Sequence, residues 1–218
     1  MPSASDTAER PLNDTAEGGL RMLRAVVDSG LLRCGLPTAL GGLGGTLAEL
    51  ADAAVQWAAH SRAAGWTLWA QRMAIEAIAC SPNVGLREHL LPDLLSGERA
   101  ASVPLPLAAA PLSGRDTGRG WLLDGALPCV PNWQWMGCSI VAPVRLGAEH
   151  GWVVLRSEED GLHIGAPQGG VAPPALSRSV SLRCAGVFFR EDEWLGGSDL
   201  AGRLALLDRL LAPLRQSG

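Results

Sequence analysis

The chain contains no lysine, so all of its positive charge is arginine, and no basic run interleaves with aromatic residues. Recognition of a phosphate backbone needs a cluster of cations that neutralises it, and with a formal net charge of −4 nucleic acid is excluded as an expected partner. Long apolar runs are also missing. Charge, Gly or Pro interrupts every hydrophobic stretch before it reaches the length of a bilayer crossing, so no membrane span is expected. The opening residues, Met1-Pro2-Ser3-Ala4-Ser5-Asp6, lack a basic and apolar leader, which makes a cytoplasmic location the default expectation. The five cysteines, Cys34, Cys80, Cys129, Cys138 and Cys184, are scattered, odd in number and without a pair at metal-ligand spacing. That pattern excludes a disulfide framework and a zinc site, and the thiols read as buried small hydrophobes.

What is present is a chain of 218 residues, 47% apolar, long enough to bury a core as one large or two small domains. After a polar, Pro-containing opening, Leu20, Leu23, Val27 and Leu31 recur at helical spacing and predict a helix over 15–32. The Gly-rich turn Gly41-Gly42-Leu43-Gly44-Gly45 lacks the Lys-Ser/Thr ending of a phosphate loop and reads as a turn. Thr46 with Glu49 three residues later forms the signature of a capped second helix, whose apolar face is Leu47, Leu50, Ala54, Val55 and Ala58. A third helix over 63–79 is apolar almost all round, which implies burial between neighbours. A fourth over 83–95 stops at Ser96-Gly97.

Near Ala100 helical period gives way to short apolar runs broken by Gly and Pro, the mark of a β-domain. Ser102-Val103 opens a strand that Pro104 and Pro106 shorten or push to an edge. Further strands are expected at Trp121-Leu122-Leu123, Cys138 to Ala142, Trp152 to Leu155, Leu162-His163-Ile164 and Ser181 to Phe189, spaced as in an antiparallel barrel or sandwich. Helical spacing returns through Leu200, Leu204, Leu207 and Leu211, and such a stripe must dock on something. The fold class expected is therefore α+β. The domain boundaries expected are a flexible terminus over 1–13, an all-α unit over 14–98, a β-domain over 99–197 and one closing helix over 198–218.

Leu40-Gly41-Gly42-Leu43-Gly44, Leu91-Pro92-Asp93-Leu94-Leu95-Ser96-Gly97-Glu98 and Gly120-Trp121-Leu122-Leu123-Asp124-Gly125, in that order and spacing, resemble the acyl-CoA dehydrogenase flavoprotein family. The resemblance extends to about Gly196. It implies the N-terminal helical and middle β-domains of that fold, with the helix over 198–218 as the remnant of a C-terminal helical domain that carries the family's catalytic base. It also implies FAD as cofactor, an acyl-CoA or other acyl thioester as substrate, and oligomeric assembly with itself or with a homologous full-length subunit.

The family's flavin-facing strand reads Leu-Thr-Glu-Pro, and this chain has Val103-Pro104-Leu105-Pro106; the loop that follows is Leu107-Ala108-Ala109-Ala110 in place of Ala-Gly-Ser-Asp. The second flavin-facing segment reads Trp-Ile-Thr-Asn in the family and Cys129-Val130-Pro131-Asn132 here, with Asn132 alone matching. By resemblance the candidate cofactor-binding residues are Val103, Pro104, Cys129, Val130, Pro131 and Asn132. Pro104 supplies neither the family's hydroxyl nor a backbone N–H. Main-chain groups at Val130 or Asn132 remain as candidate partners for the ring. No carboxylate in the chain takes the role of the base, and no catalytic residue is assigned.

Other chemistry-bearing residues have plain readings. Glu158-Glu159-Asp160 and Arg190-Glu191-Asp192-Glu193 are charged turns at hairpin ends. His60, His89, His150 and His163 fall in separate elements without ligand spacing. Ser113-Gly114-Arg115-Asp116 reads as part of the turn before the Gly120 hairpin. Trp133 and Trp135, two apart, read as packing residues on one strand face or as cleft lining. Three functions stay open: a flavoprotein oxidoreductase subunit active only with a partner, a catalytically inactive paralogue acting as a binding or scaffold module, and a relative of the flavin-dependent monooxygenases that share the fold.

Overall fold

The computed structural model describes residues 6–134, 137–170 and 172–216, with side chains from residue 17 onward. Helix α1 spans Asp6–Asp28, α2 Leu47–Ala58, α3 Arg62–Ala79 and α4 Val84–Ser96. The first helix therefore opens inside the stretch expected to be loose and closes four residues before Leu32. Gly30 at φ 75° ends it, its N–H donating back to the Val27 carbonyl at 3.0 Å. Thr46 caps α2 as expected: the Glu49 N–H donates to Thr46 Oγ1 at 3.2 Å and the Thr46 N–H donates to Glu49 Oε2 at 2.7 Å. Asn83 caps α4, and Gly97 at φ 75° closes it, where a Cβ would lie 2.6 Å from Val27.

Every residue of α3 from Ala63 to Ala79 is buried, which makes it the central element of the helical unit. Burial of its polar members demands partners. Arg72 Nη1 donates to Glu76 Oε2 at 2.6 Å, and Arg203 donates to Glu76 Oε1 at 2.5 Å. Burial alone would raise the Glu76 carboxyl, but the charges and hydrogen bonds of Arg72 and Arg203 hold it below the ordinary carboxylate range.

The strands are β1 Ala100–Ser102, β2 Leu112–Asp116, β3 Trp121–Val130, β4 Cys138–Leu146, β5 Glu149–Arg156, β6 Leu162–Gly165, β7 Val180–Phe189 and β8 Trp194–Gly196, followed by α5 Ser198–Leu211. They form one eight-stranded sheet in the order β6-β7-β3-β2-β4-β5-β8, with β1 also on β4. The α+β class is borne out, and the pairing is mostly antiparallel. The exceptions are β1 and β2, which run parallel to β4 along one edge, against Cys138–Ile140 and Val144–Leu146 respectively. The chain thus leaves that edge after Ser102, makes an excursion over 103–111 and returns at Leu112. Ser113 to Asp116, expected as a turn, belongs to β2 and pairs with Trp121 to Asp124; the turn itself is 117–120, where Thr117 N–H and Oγ1 both donate to the Gly120 carbonyl.

The closing helix uses its apolar stripe within the chain. Leu200, Leu204, Leu207 and Leu211 are buried against the helical unit, where α5 meets α2, α3 and β5. Three of the cysteines, Cys129, Cys138 and Cys184, are buried as expected, whereas Cys34 is half-buried and Cys80 exposed at the end of α3, where the helix meets solvent. Trp133 is buried in the sheet core; Trp135 lies outside the described residues.

Candidate functional site

The excursion after β1 brings the two segments singled out by sequence into contact. The Leu105 N–H donates to the Cys129 carbonyl at 2.7 Å, forming an isolated antiparallel bridge. Val103, Pro104, Cys129, Val130, Pro131 and Asn132 are thus brought together, and all six are buried under the chain's own residues. Val103, Leu105 and Cys129 pack in one cluster with α3 residues such as Trp69 and Met73, while Val130 packs in the sheet cluster. These positions form the seam between helices and sheet.

Several polar groups of the seam are bonded within the chain. Asn132 sits at φ 56°, and its Nδ2 donates to Gln71 Oε1 at 2.9 Å and to the Ala101 carbonyl at 3.1 Å. Gln71 is a complete hub: Oε1 also accepts from the Ala101 N–H at 2.7 Å, while Nε2 donates to the carbonyls of Leu94 at 2.9 Å and Arg99 at 3.0 Å. One buried amide thereby ties α3, α4, β1 and the segment after β3. The Asn132 N–H donates to the Ser177 carbonyl at 2.7 Å, and the Trp133 N–H to the Arg178 carbonyl at 3.0 Å. Val130 ends β3 opposite Val180. Burial pushes the Cys129 thiol up, against a hydrogen bond with Ser179 that lowers it. Gln71 escaped the sequence reading; its signal was an uncharged polar residue in the middle of a helix apolar all round.

Beside the seam lies a cavity of about 470 Å³, lined by Leu105, Pro106 and Leu107 with Arg62, Trp66 and Arg215 among its other walls. Asp208 is the carboxylate in that lining, and it is held on two sides, accepting from Trp69 Nε1 at 2.9 Å and from Arg215 Nη2 at 2.9 Å. The Arg215 guanidinium also stacks 4.7 Å over the Trp69 ring. A carboxylate paired and hydrogen-bonded in this way is an anchor for the C-terminal turn rather than a free base. In the first charged run Glu158 is structural too, ion-pairing with Arg99 at 3.7 Å and accepting from Ser157 Oγ at 2.7 Å. Among the described residues no group of His, Cys, Asp and Glu is placed to hold a metal ion.

No family model matches the chain, and no curated protein matches it. Solved structures do. An acyl-CoA dehydrogenase, described as putative, from Mycobacterium smegmatis superposes with a TM-score of 0.73 at 15% identity, over 98% of this chain and 64% of that one. Glutaryl-CoA dehydrogenase from Mycobacterium smegmatis gives 0.70 at 18%, over 99% and 62%. The fold is that of the acyl-CoA dehydrogenases. The ChsE4-ChsE5 complex from Mycobacterium tuberculosis gives a TM-score of 0.68 at 21% identity, over 89% of this chain and 52% of that chain. At these identities the acyl-CoA dehydrogenase likeness speaks for fold, and the chain spans between about half and two thirds of these neighbours' length.

By the family resemblance a flavin ring would meet the seam, and the donors at Pro104, Leu105, Pro131 and Asn132 do not serve it. Pro104 and Pro131 have no N–H, the N–H groups of Leu105 and Asn132 are bonded to Cys129 and Ser177, and both donors of the Asn132 amide are engaged. A buried heteroaromatic facing these positions would leave its own acceptors unpaired, at a cost of about 1–3 kcal/mol each.

Proposed function

We propose that this chain is a non-catalytic subunit of an acyl-CoA dehydrogenase-type oxidoreductase, working beside a homologous full-length subunit that carries the flavin and the base and acts on an acyl thioester. The observation that carries this reading is the seam: the positions expected to face flavin form internal packing, and Asn132, the residue that matches the family motif, holds Gln71 and Ala101 instead. Two of the neighbours support a hetero-oligomeric setting, since they are named as pairs of differently named chains, ChsE4-ChsE5 and Tcur3481-Tcur3483, the latter a steroid enzyme of this class. The five free thiols, three of them buried, suit a reducing cytoplasm.

The test is the visible spectrum of the purified chain alone and of the chain co-expressed with a full-length homologue encoded nearby. Expected are a colourless isolated protein that takes up no added FAD, and a yellow complex that oxidises an acyl thioester with an electron-transfer dye. A yellow isolated chain, or thioester oxidation by it, overturns the proposal. That result would favour the second reading, FAD bound by this chain itself. Its support is the cavity beside Leu105 with Trp66 on its wall, and a neighbour of the same fold, PigA, described with FAD and proline.

A further inference from the structure

A cavity of the helical unit lies away from the seam, between α4 and the turn Thr38–Leu40, with a volume of about 600 Å³. Its floor is apolar: Leu91 and Leu95 are buried and Leu40 packs against the same core. Gly41, at φ 79°, lets the turn approach α4 closely, since a Cβ there would lie 3.3 Å from Leu95 Cδ1. Two arginines, exposed Arg33 and half-buried Arg87, line the same groove.

Each guanidinium is steadied by one carbonyl. Arg33 Nη1 donates to the Gly41 carbonyl at 3.3 Å and Arg87 Nη1 to the Ser81 carbonyl at 2.9 Å. Neither has a carboxylate partner among the described residues, although Glu88 lines the same groove. Arg72, Arg99, Arg203 and Arg215, by contrast, are all ion-paired. A guanidinium has five N–H donors in a planar fork suited to an anionic oxygen pair, so one anchoring bond on each leaves most of the fork available.

We propose that this groove binds a medium-chain aliphatic carboxylate, its head on Arg33 and Arg87 and its tail along Leu40, Leu91 and Leu95. The chemistry requires both halves. A short anion would make only exposed charge contacts, which contribute little, and an uncharged chain would gain nothing from the two guanidinium forks. The volume lies inside the usual range for small-molecule sites, roughly 300–1,000 Å³. This site stands independently of the subunit reading and of any flavin.

The test is calorimetric titration of the full chain with octanoate, acetate and octan-1-ol, repeated on the double variant Arg33→Gln/Arg87→Gln with its thermal midpoint checked. Saturable octanoate binding is expected, weakened about tenfold or more in the double variant, with acetate and octan-1-ol each weaker by a similar factor. Should the double variant fail to fold, Leu40→Gln, which places an amide on the apolar floor, carries the same expectation of lost affinity. Absence of saturable octanoate binding, unchanged affinity in the variants, or octan-1-ol binding as tightly as octanoate each overturns the proposal.

Discussion

Replacing Gln71 with methionine keeps an unbranched side chain of similar length and removes every hydrogen bond of the hub. The Ala101 N–H, now at 2.7 Å from Gln71 Oε1, loses its partner inside the seam, and the Asn132 side-chain amide keeps only its bond to the Ala101 carbonyl. The carbonyls of Leu94 and Arg99 lose a donor each. A buried donor left unpaired costs about 1–3 kcal/mol, so the Ala101 and Asn132 losses together come to about 2–6 kcal/mol. Methionine is easier to bury than an amide, which brings the expected net destabilisation to about 3 kcal/mol. That is a large part of a total stability of roughly 5–15 kcal/mol. Asn132→Gly cuts the same bond from the other side, while glycine accepts φ 56° without strain, and its expected cost is about 1–2 kcal/mol. Because the two side chains share a hydrogen bond, the double variant should be less destabilised than the sum, by at least about 0.5 kcal/mol. Urea unfolding followed by tryptophan fluorescence measures all four proteins. Additive losses, or a Gln71→Met cost below about 0.5 kcal/mol, would refute the hub and with it the structural role given to Asn132.

The Glu76 carboxylate, held below its ordinary range between Arg72 and Arg203, contributes stability that is present above the unfolded-state carboxylate value and is lost as pH falls through the folded one. Arg203→Gln removes one cation and should therefore move that acid loss to higher pH; superimposable plots of thermal midpoint against pH for the two proteins would show that the contact is electrostatically idle. Among the thiols, Cys80 is the exposed one, although partial burial and the nearby Glu76 carboxylate push it up; Cys138 and Cys184 are buried, and burial raises them to about 11 and about 12. Iodoacetamide on the native chain, read by mass spectrometry, should label Cys80 well before Cys138 or Cys184, and early labelling of either buried thiol would mean that the sheet core opens readily.

Local signals carried most of the fold. The Thr46 and Glu49 capping box and the Gly97 stop each appear where local chemistry demands them. The all-round apolar pattern of 63–79 correctly announced a helix buried on every side. Misreadings arose where the outcome depends on partners distant in sequence. Ser113 to Asp116 looks like a turn because it is polar and contains Gly114. It becomes a strand because Trp121 to Asp124 on one side and Arg145 and Leu146 on the other supply its hydrogen bonds. The pairing of β1 and β2 along one edge of β4 has no local sequence signal at all, since parallel neighbours are fixed by the packing of the sheet.

The seam shows how far a motif can be carried from sequence to role. Asn132 matches the family pattern, and its placement beside Cys129 and Pro131 was readable from the chain. Its function depends on where its amide points, and that is decided by Gln71, sixty-one positions earlier on α3. With both amide donors held by Gln71 and Ala101 and the backbone N–H held by Ser177, the residue has no donor left for a ligand. In this chain the Asn132 amide serves packing, joining the helical unit to the sheet at the left-handed turn after β3. The departures at Pro104 and Pro131 lie at positions without that architectural duty, where a proline removes a donor that the seam does not use. The bonded Asn132 amide and the donors absent at the two prolines support the subunit reading proposed above, and a yellow isolated chain would overturn it.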